Sequence, residues 1–295
     1  MKKVLITGAN SYIGVSFENW AKVHYSDQLS VDTVDMMDES WKSKDFSEYD
    51  IVFHVAGLAH VDVGKVDTDT KKHYYDVNTK LAMEAAQKAK NEGVRQFVFM
   101  SSIIVYGDSA PYGRQKLIDM STKPSPANYY GDSKWKADKG VRKMACDHFM
   151  VTVLRPPMIY GKGSKGNYPA LASMAKKLPV FPNIRNERSM LFIDNLCEFL
   201  CQVMIRGEGG VFFPQNREYT RTSEMVKLIG EISGHKVRVS RFWNWVVKLA
   251  GLIPGRISGL ANKAFGNLSY DQSMSRYDFD YIVADLRTSI ERTEG

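Results

Sequence analysis

The chain has 295 residues, 44% of them hydrophobic and 25% charged. That ordinary globular balance excludes a disordered or fibrous protein and suits one large domain, or a domain with a smaller lobe. Three cysteines do not make a disulfide framework, so a reducing, cytoplasmic setting is expected. The net charge of +7 comes with scattered basic residues and no nucleic-acid motif. No nucleic-acid partner is expected, and a mild positive field suits a small anionic substrate such as a nucleotide diphosphate.

Lys3–Thr7 reads as a first strand, with too short an apolar run for a secretory signal. Residues 13–24 predict a helix, Leu29–Val34 a strand ending at Asp35, and Asp50–Val55 a buried strand. Only about 15 residues separate Asp35 from that strand, so one element is reduced there. Residues 72–92 have helical spacing, Arg95–Ser101 reads as a strand, a helix follows Tyr130, and Met150–Leu154 is another strand. Strands alternating with helices predict an α/β fold with a doubly wound parallel sheet. Its ligand site belongs at the carboxyl ends of the strands.

After Arg155 the pattern changes. Gly, Pro and Lys crowd residues 156–183, and residues 190–206 return to helical spacing after a turn at Asp194-Asn195. From about 209 onward come short elements of a smaller lobe. The expected division is 1–156 with about 184–208 as the dinucleotide-binding domain, and about 157–183 with 209–295 as the substrate-binding lobe. Cys197 and Cys201, four apart in an apolar stretch, read as core, and no metal site is expected. Phe242–Pro254 is the most apolar segment. It is too short to span a bilayer, and Asn244 and Lys248 interrupt it, so no stable membrane insertion is expected. It reads first as a core-facing helix, with a pocket lip or a membrane-surface contact as alternatives.

Two constellations carry chemistry. The opening run VLITGANSYIG places Gly8 at the strand end and Gly14 in the next helix. Gly8 permits a tight turn, Gly14 permits close helix–sheet packing, and the helix N-terminus faces a pyrophosphate. Ser11 stands where the G-x-x-G-x-x-G spacing has its middle glycine, either crowding the pyrophosphate or hydrogen-bonding it. Asp35 lies about 20 residues beyond Gly14, where an acid accepts from the adenosine ribose and repels a 2′-phosphate. NAD is therefore expected over NADP. Ala56 and Gly57 after the third strand allow close approach of a cofactor, and Asn78 is placed to tie loops together or to lie on a helix surface.

The second constellation is Tyr130 and Lys134, four apart on one helix face. A phenol is a poor base at neutral pH, and a lysine cation beside it lowers its pKa. The same lysine suits the nicotinamide ribose. Ser102, at the end of the RQFVFM strand, is placed to hydrogen-bond a substrate oxygen passing between alcohol and ketone.

Taken in order, TGANSYIG, HVAG, SSIIVYG and YYGDSK resemble the extended short-chain dehydrogenase/reductase family, the nucleotide-sugar epimerases and dehydratases, over about residues 3–235. The resemblance implies a Rossmann domain with a smaller C-terminal α/β lobe, a homodimer, and a Ser102–Tyr130–Lys134 triad. It implies cofactor contacts from Gly8, Asn10, Ser11, Tyr12, Ile13, Gly14, Asp35, Ala56, Gly57, Asn78, Ser101, Tyr130, Lys134 and Pro157. Substrate contacts are implied for Ser102, Tyr130, Asn167 and Arg188.

The 4,6-dehydratases of that family carry Asp-Glu directly after the catalytic Ser or Thr. Here Ile103-Ile104 stand there and transfer no protons. RPPMIYG has Met158 where many members have a nucleotide-contacting Asn, which leaves the nearby Asn167 to supply the amide. Arg188 is then expected either to fork onto a phosphate or to be a solvated charge. The set resembles the branch joining UDP-glucose 4-epimerase-like proteins with reductases of UDP-4-keto-6-deoxy-N-acetylhexosamines. The leading expectation is an NAD-dependent C4 epimerase of a UDP-sugar. A 4-ketoreductase of a UDP-4-keto-6-deoxy-sugar is the alternative, and a non-catalytic dinucleotide-binding protein, suggested by Ser11 and Met158, is a third.

Overall fold

The structure is a computed structural model that describes residues 1–59, 67–111, 113–253 and 256–295, with the backbone alone at 256, 257 and 260. Its strands are β1 (Lys2–Thr7), β2 (Leu29–Val34), β3 (Ile51–His54), β4 (Gln96–Met100), β5 (Leu117–Ile118), β6 (Met150–Leu154), β7 (Met158–Tyr160), β8 (Val180–Pro182), β9 (Met190–Phe192), β10 (Gly210–Phe212), β11 (Arg238–Ser240) and β12 (Ser269–Tyr270). Its helices are α1 (Tyr12–His24), α2 (Thr68–Tyr75), α3 (Leu81–Asn91), α4 (Tyr129–Arg142), α5 (Asn167–Lys177), α6 (Ile193–Arg206), α7 (Thr222–Ile232), α8 (Asn244–Leu252), α9 (Arg256–Phe265) and α10 (Leu286–Glu294).

Six strands form one sheet in the order β10-β6-β4-β3-β1-β2, each adjacent pair parallel. The central strands β3 and β4 are buried along their whole length because helices cover both faces. The chain leaves β1 toward β2 on one side and returns to β3 on the other. That reversal opens a crevice at the carboxyl ends of β1 and β3. β2 is the edge strand, and a 3₁₀ turn at Glu39–Ser43 occupies the shortened stretch beyond it.

Two findings revise the expected layout. β10 pairs with β6 at the edge of the central sheet, although a boundary near 208 assigns it to the smaller lobe. Asp194-Asn195 is no turn but the first turn of α6. Asn195 is buried, and its side chain holds the backbone of Val283 and Ala284, fastening the C-terminal segment to that helix. Cys197 and Cys201 are buried in α6 within the core. The smaller lobe is built on the β8–β11 pair with α5, α7, α8 and α9 around it.

A buried ion pair fastens α4 to the sheet. Arg155, just beyond β6, donates from Nε and Nη2 to the two carboxylate oxygens of Asp138 at 2.8 and 2.9 Å. Asp138 is fully buried and also accepts from Ser101 Oγ and Arg142 Nε. The remaining Arg155 nitrogen, Nη1, donates to the Tyr106 hydroxyl at 2.6 Å, and the guanidinium lies over the rings of Tyr106, Trp135 and Phe213. Removing one partner strands the other charge in a low-dielectric interior. Asp138→Ala is expected to destabilise the chain by roughly 3–5 kcal/mol. The double variant Asp138→Ala with Arg155→Met should recover part of that loss. Denaturant unfolding of the wild type, both single variants and the double variant measures it, and simple additivity would show that the pair is not coupled.

Candidate active site

The cofactor crevice starts with a turn that only particular residues accept. Gly8 has φ of +122°, and a Cβ there would lie 2.7 Å from the backbone nitrogen of Ala56. Asn10 also takes a positive φ, 63°, a conformation that Asn tolerates better than most side chains. Ser11 is the N-cap of α1, its Oγ accepting from Gly14 N at 3.2 Å. The hydroxyl thereby stabilises the helix whose N-terminus faces the crevice. Gly14 makes that cap possible, since a Cβ there would lie 2.6 Å from Ser11 Oγ and 3.2 Å from Ile6 Cγ2. Tyr12 and Ile13 pack against the core instead, and the Tyr12 hydroxyl is buried close to Gly161. Asp35 follows the end of β2, is exposed, and accepts from Met37 N.

The third strand end is crowded. A Cβ on Gly57 would lie 2.8 Å from Lys134 Nζ and 3.0 Å from Asn78 Oδ1. Asn78 is fully buried in a π turn, Asp76–Lys80, between α2 and α3. Its amide exchanges hydrogen bonds with the backbone of Leu58 and donates to Ser133 Oγ on α4. Of its two expected readings, loop-tying is the one its geometry performs. Pro157 is buried just before β7, and Ser101 points its hydroxyl at Asp138.

α4 delivers Tyr130 and Lys134. Asn128 caps it by accepting from Gly131 N, and Gly131 lets it press onto the turn after β4, where a Cβ would lie 2.9 Å from the Ile104 carbonyl oxygen. Ser102 opens that turn as its N-cap, its Oγ accepting from Ile104 N at 3.3 Å, and its hydroxyl lies near the Tyr130 phenol. Tyr74 of α2 meets the Tyr130 ring edge-on, a neighbour that no sequence motif announces. Lys134 is buried, and its ammonium donates to the Met100 carbonyl at 3.0 Å and lies over the Phe99 ring.

The electrostatics differ from the expectation of a phenol lowered by its lysine. Burial pushes Tyr130 up to about 12, the nearby Ser102 hydroxyl opposes the rise, and Tyr74 adds to it. Burial brings Lys134 down to about 8. His54, beneath the site and stacked with Phe97 and Phe99, is held down to about 3 by burial and by the nearby Lys134 cation. Burial thus dominates each group, and Lys134 spends its charge on a main-chain carbonyl.

On the substrate side the structure separates two expected residues. Asn167 is exposed at the first position of α5. Arg188 is not a solvated charge. It is buried, and its Nη1 donates to the carbonyls of Lys263 and Gly266 at the end of α9. Its backbone bridges Thr220 and Leu268, so it staples three segments of the smaller lobe. Ile103 is a core residue and Ile104 is partly buried, and neither offers a proton.

A family model described as NAD dependent epimerase/dehydratase family matches residues 4–212. A UDP-glucose 4-epimerase of Vibrio cholerae is 29% identical over 232 residues, covering 77% of this chain and 70% of the relative. An N-acetyl-alpha-D-glucosaminyl-diphospho-ditrans,octacis-undecaprenol 4-epimerase of Escherichia coli O157:H7 is 26% identical over 214 residues, covering 67% of this chain and 61% of the relative. The solved structure of a dTDP-4-dehydrorhamnose reductase from Clostridium acetobutylicum is similar in fold, with a TM-score of 0.72 at 15% identity, covering 99% of this chain and 98% of that one. The chain belongs to the NAD dependent epimerase/dehydratase family, and the strand-end crevice, with the Ser11-capped helix N-terminus on it and an exposed carboxylate at Asp35, fits that cofactor.

The lysine supplies a test of the site's burial. A lysine with a folded pKa of about 8 against an ordinary 10.5 is neutral in the folded chain while still protonated in the unfolded one between those values. Stability conferred by this site therefore rises as pH increases from about 8 to 10.5, on the order of 3 kcal/mol in full. Denaturation of the wild type and Lys134→Met across that window should give curves that diverge in favour of the wild type. Parallel curves would show that Lys134 is solvated.

Proposed function

From membership of the NAD dependent epimerase/dehydratase family, we propose that the chain is a nucleotide-sugar C4 epimerase acting on a UDP-sugar through a 4-keto intermediate. The observation that carries this reading is Ser102 at a strand end near the Tyr130 phenol, with Lys134 one helical turn along and two isoleucines in place of an elimination pair. Bound NAD supplies the acceptor and donor of hydride at the sugar C4. Tyr130 takes the proton of the 4-hydroxyl and returns it. Ser102 holds the 4-oxygen through both states. Lys134 holds the nicotinamide ribose and favours the phenolate once its ammonium turns from Met100 toward the phenol. Asp35 receives the adenosine ribose hydroxyls. Ile103 and Ile104 leave no group to expel water, so chemistry stays at one carbon.

The same three side chains serve one-way reduction of a UDP-4-keto-6-deoxy-sugar, and purified protein separates the two reactions. An epimerase interconverts UDP-sugars with no added dinucleotide, whereas a reductase consumes NADH or NADPH mole for mole. A polyprenyl-diphosphate sugar belongs on the same panel, because the Escherichia coli relative is named for one. Tyr130→Phe is expected to lower turnover by about 10²–10⁴-fold while leaving bound NAD unchanged. Full activity in that variant would remove Tyr130 from the mechanism.

A further inference from the structure

α8 is amphipathic the wrong way round for a core helix. Phe242, Trp245, Val246, Leu249, Leu252 and Ile253 recur at helical spacing, and every one is exposed, Phe242 by 72%, Trp245 by 53% and Leu252 by 70%. Val247, on the opposite face, is the buried member of the helix, and Asn244 ties its start to the Asn183 carbonyl. The expected core-facing reading therefore fails: the helix docks by its narrow side and presents its apolar stripe to solvent. Pro254, which ends the apolar segment, lies outside the described residues.

Charge is concentrated on the same segment. Residues 232–270 contain Lys236, Arg238, Arg241, Lys248, Arg256 and Lys263 and no Asp or Glu, which leaves 34 Lys and Arg against 33 Asp and Glu elsewhere. Nearly all of the +7 net charge thus belongs to this one stretch. Arg238, Arg241 and Lys248 are exposed beside the stripe.

We propose that the α8 face is a peripheral docking surface for an anionic lipid bilayer. An exposed stripe of Trp, Phe and Leu bordered by Lys and Arg lies in the plane of the headgroups, its rings entering the acyl boundary and its cations meeting lipid phosphates. Among the described residues no helix is long and apolar enough to cross a membrane, so the contact is superficial and reversible. A second copy is a poor occupant: a two-fold contact through this face would set a stretch of six cations and no acid against its duplicate. The proposal is independent of which sugar is turned over.

Density-gradient flotation of the full chain tests it, with phosphatidylcholine vesicles prepared with and without phosphatidylglycerol, at low and high salt. The wild type should float with the phosphatidylglycerol vesicles at low salt and do so about tenfold less with neutral vesicles or at high salt. Brominated lipids should quench its fluorescence, since Trp243 and Trp245 are the exposed indoles. The double variant Trp245→Ser with Leu249→Ser should stay at the bottom of the gradient while still binding NAD. Arg241→Glu with Lys248→Glu should lose the low-salt component. A wild type that never floats, or a Trp245→Ser, Leu249→Ser variant that floats equally well, overturns the proposal. So does a variant whose only change by light scattering is from dimer to monomer, which makes the face a self-association surface.

Discussion

The Asp138–Arg155 pair is the constraint on which the site's geometry depends. Tyr130, Lys134 and Asp138 recur every fourth residue along α4 and so share one face, turned toward the strand ends. Asp138 receives the guanidinium fork at the far end of that face, and Asn128 caps the near end. Between them Thr79 and Asn78 reach Ser133 from the neighbouring helical run. A helix held at three points along its length has one rotation available to it. That rotation brings the phenol to Ser102 and the ammonium to Met100. The pair is also linked to the smaller lobe, because the Arg155 carbonyl accepts from the Tyr270 hydroxyl.

Close packing then sets the electrostatics. Lys134, Asn78 and the Gly57 backbone share a space that a single methyl group would overfill. Water cannot solvate an ammonium there, so the protein must do so, and the Met100 carbonyl and the Phe99 ring face supply that contact. The same cation, with burial, keeps His54 neutral between two phenylalanines, where Thr7 partners one ring nitrogen. The site thus holds one buried lysine on the helix face that carries the phenol, and the cost of that burial is visible in the lowered lysine.

What was legible in the sequence was what local pattern determines. Leu29–Val34 and Met150–Leu154 are strands at the expected residues because β-branched apolar runs have few alternatives. Tyr130, Lys134 and Ser102 were legible because helix period and strand-end position are local properties. Arg188 was not, since its partners are carbonyls about 75 residues away that no spacing rule connects. Asn195 misled as a turn former because its amide serves a segment close to the C-terminus. The edge strand β10 was too short, at three residues, to outweigh the change of composition after Arg155. Asp138 and Arg155 lie 17 residues apart in the sequence, and only the fold puts them in contact.

α8 marks where pattern reading fails for a different reason. Hydrophobic period identifies a face and says nothing about what covers it. In a core helix the polar face meets water. Here the residue packed toward the protein is the small Val247, and the large aromatic residues face outward. Leaving such area in water is costly, and six cations unopposed by any acid in the same stretch favour an anionic partner. The two features have one physical origin if their common partner is both apolar and anionic. A bilayer surface has those two properties at the same depth, and it would hold the enzyme by a lobe that the hydride chemistry does not use.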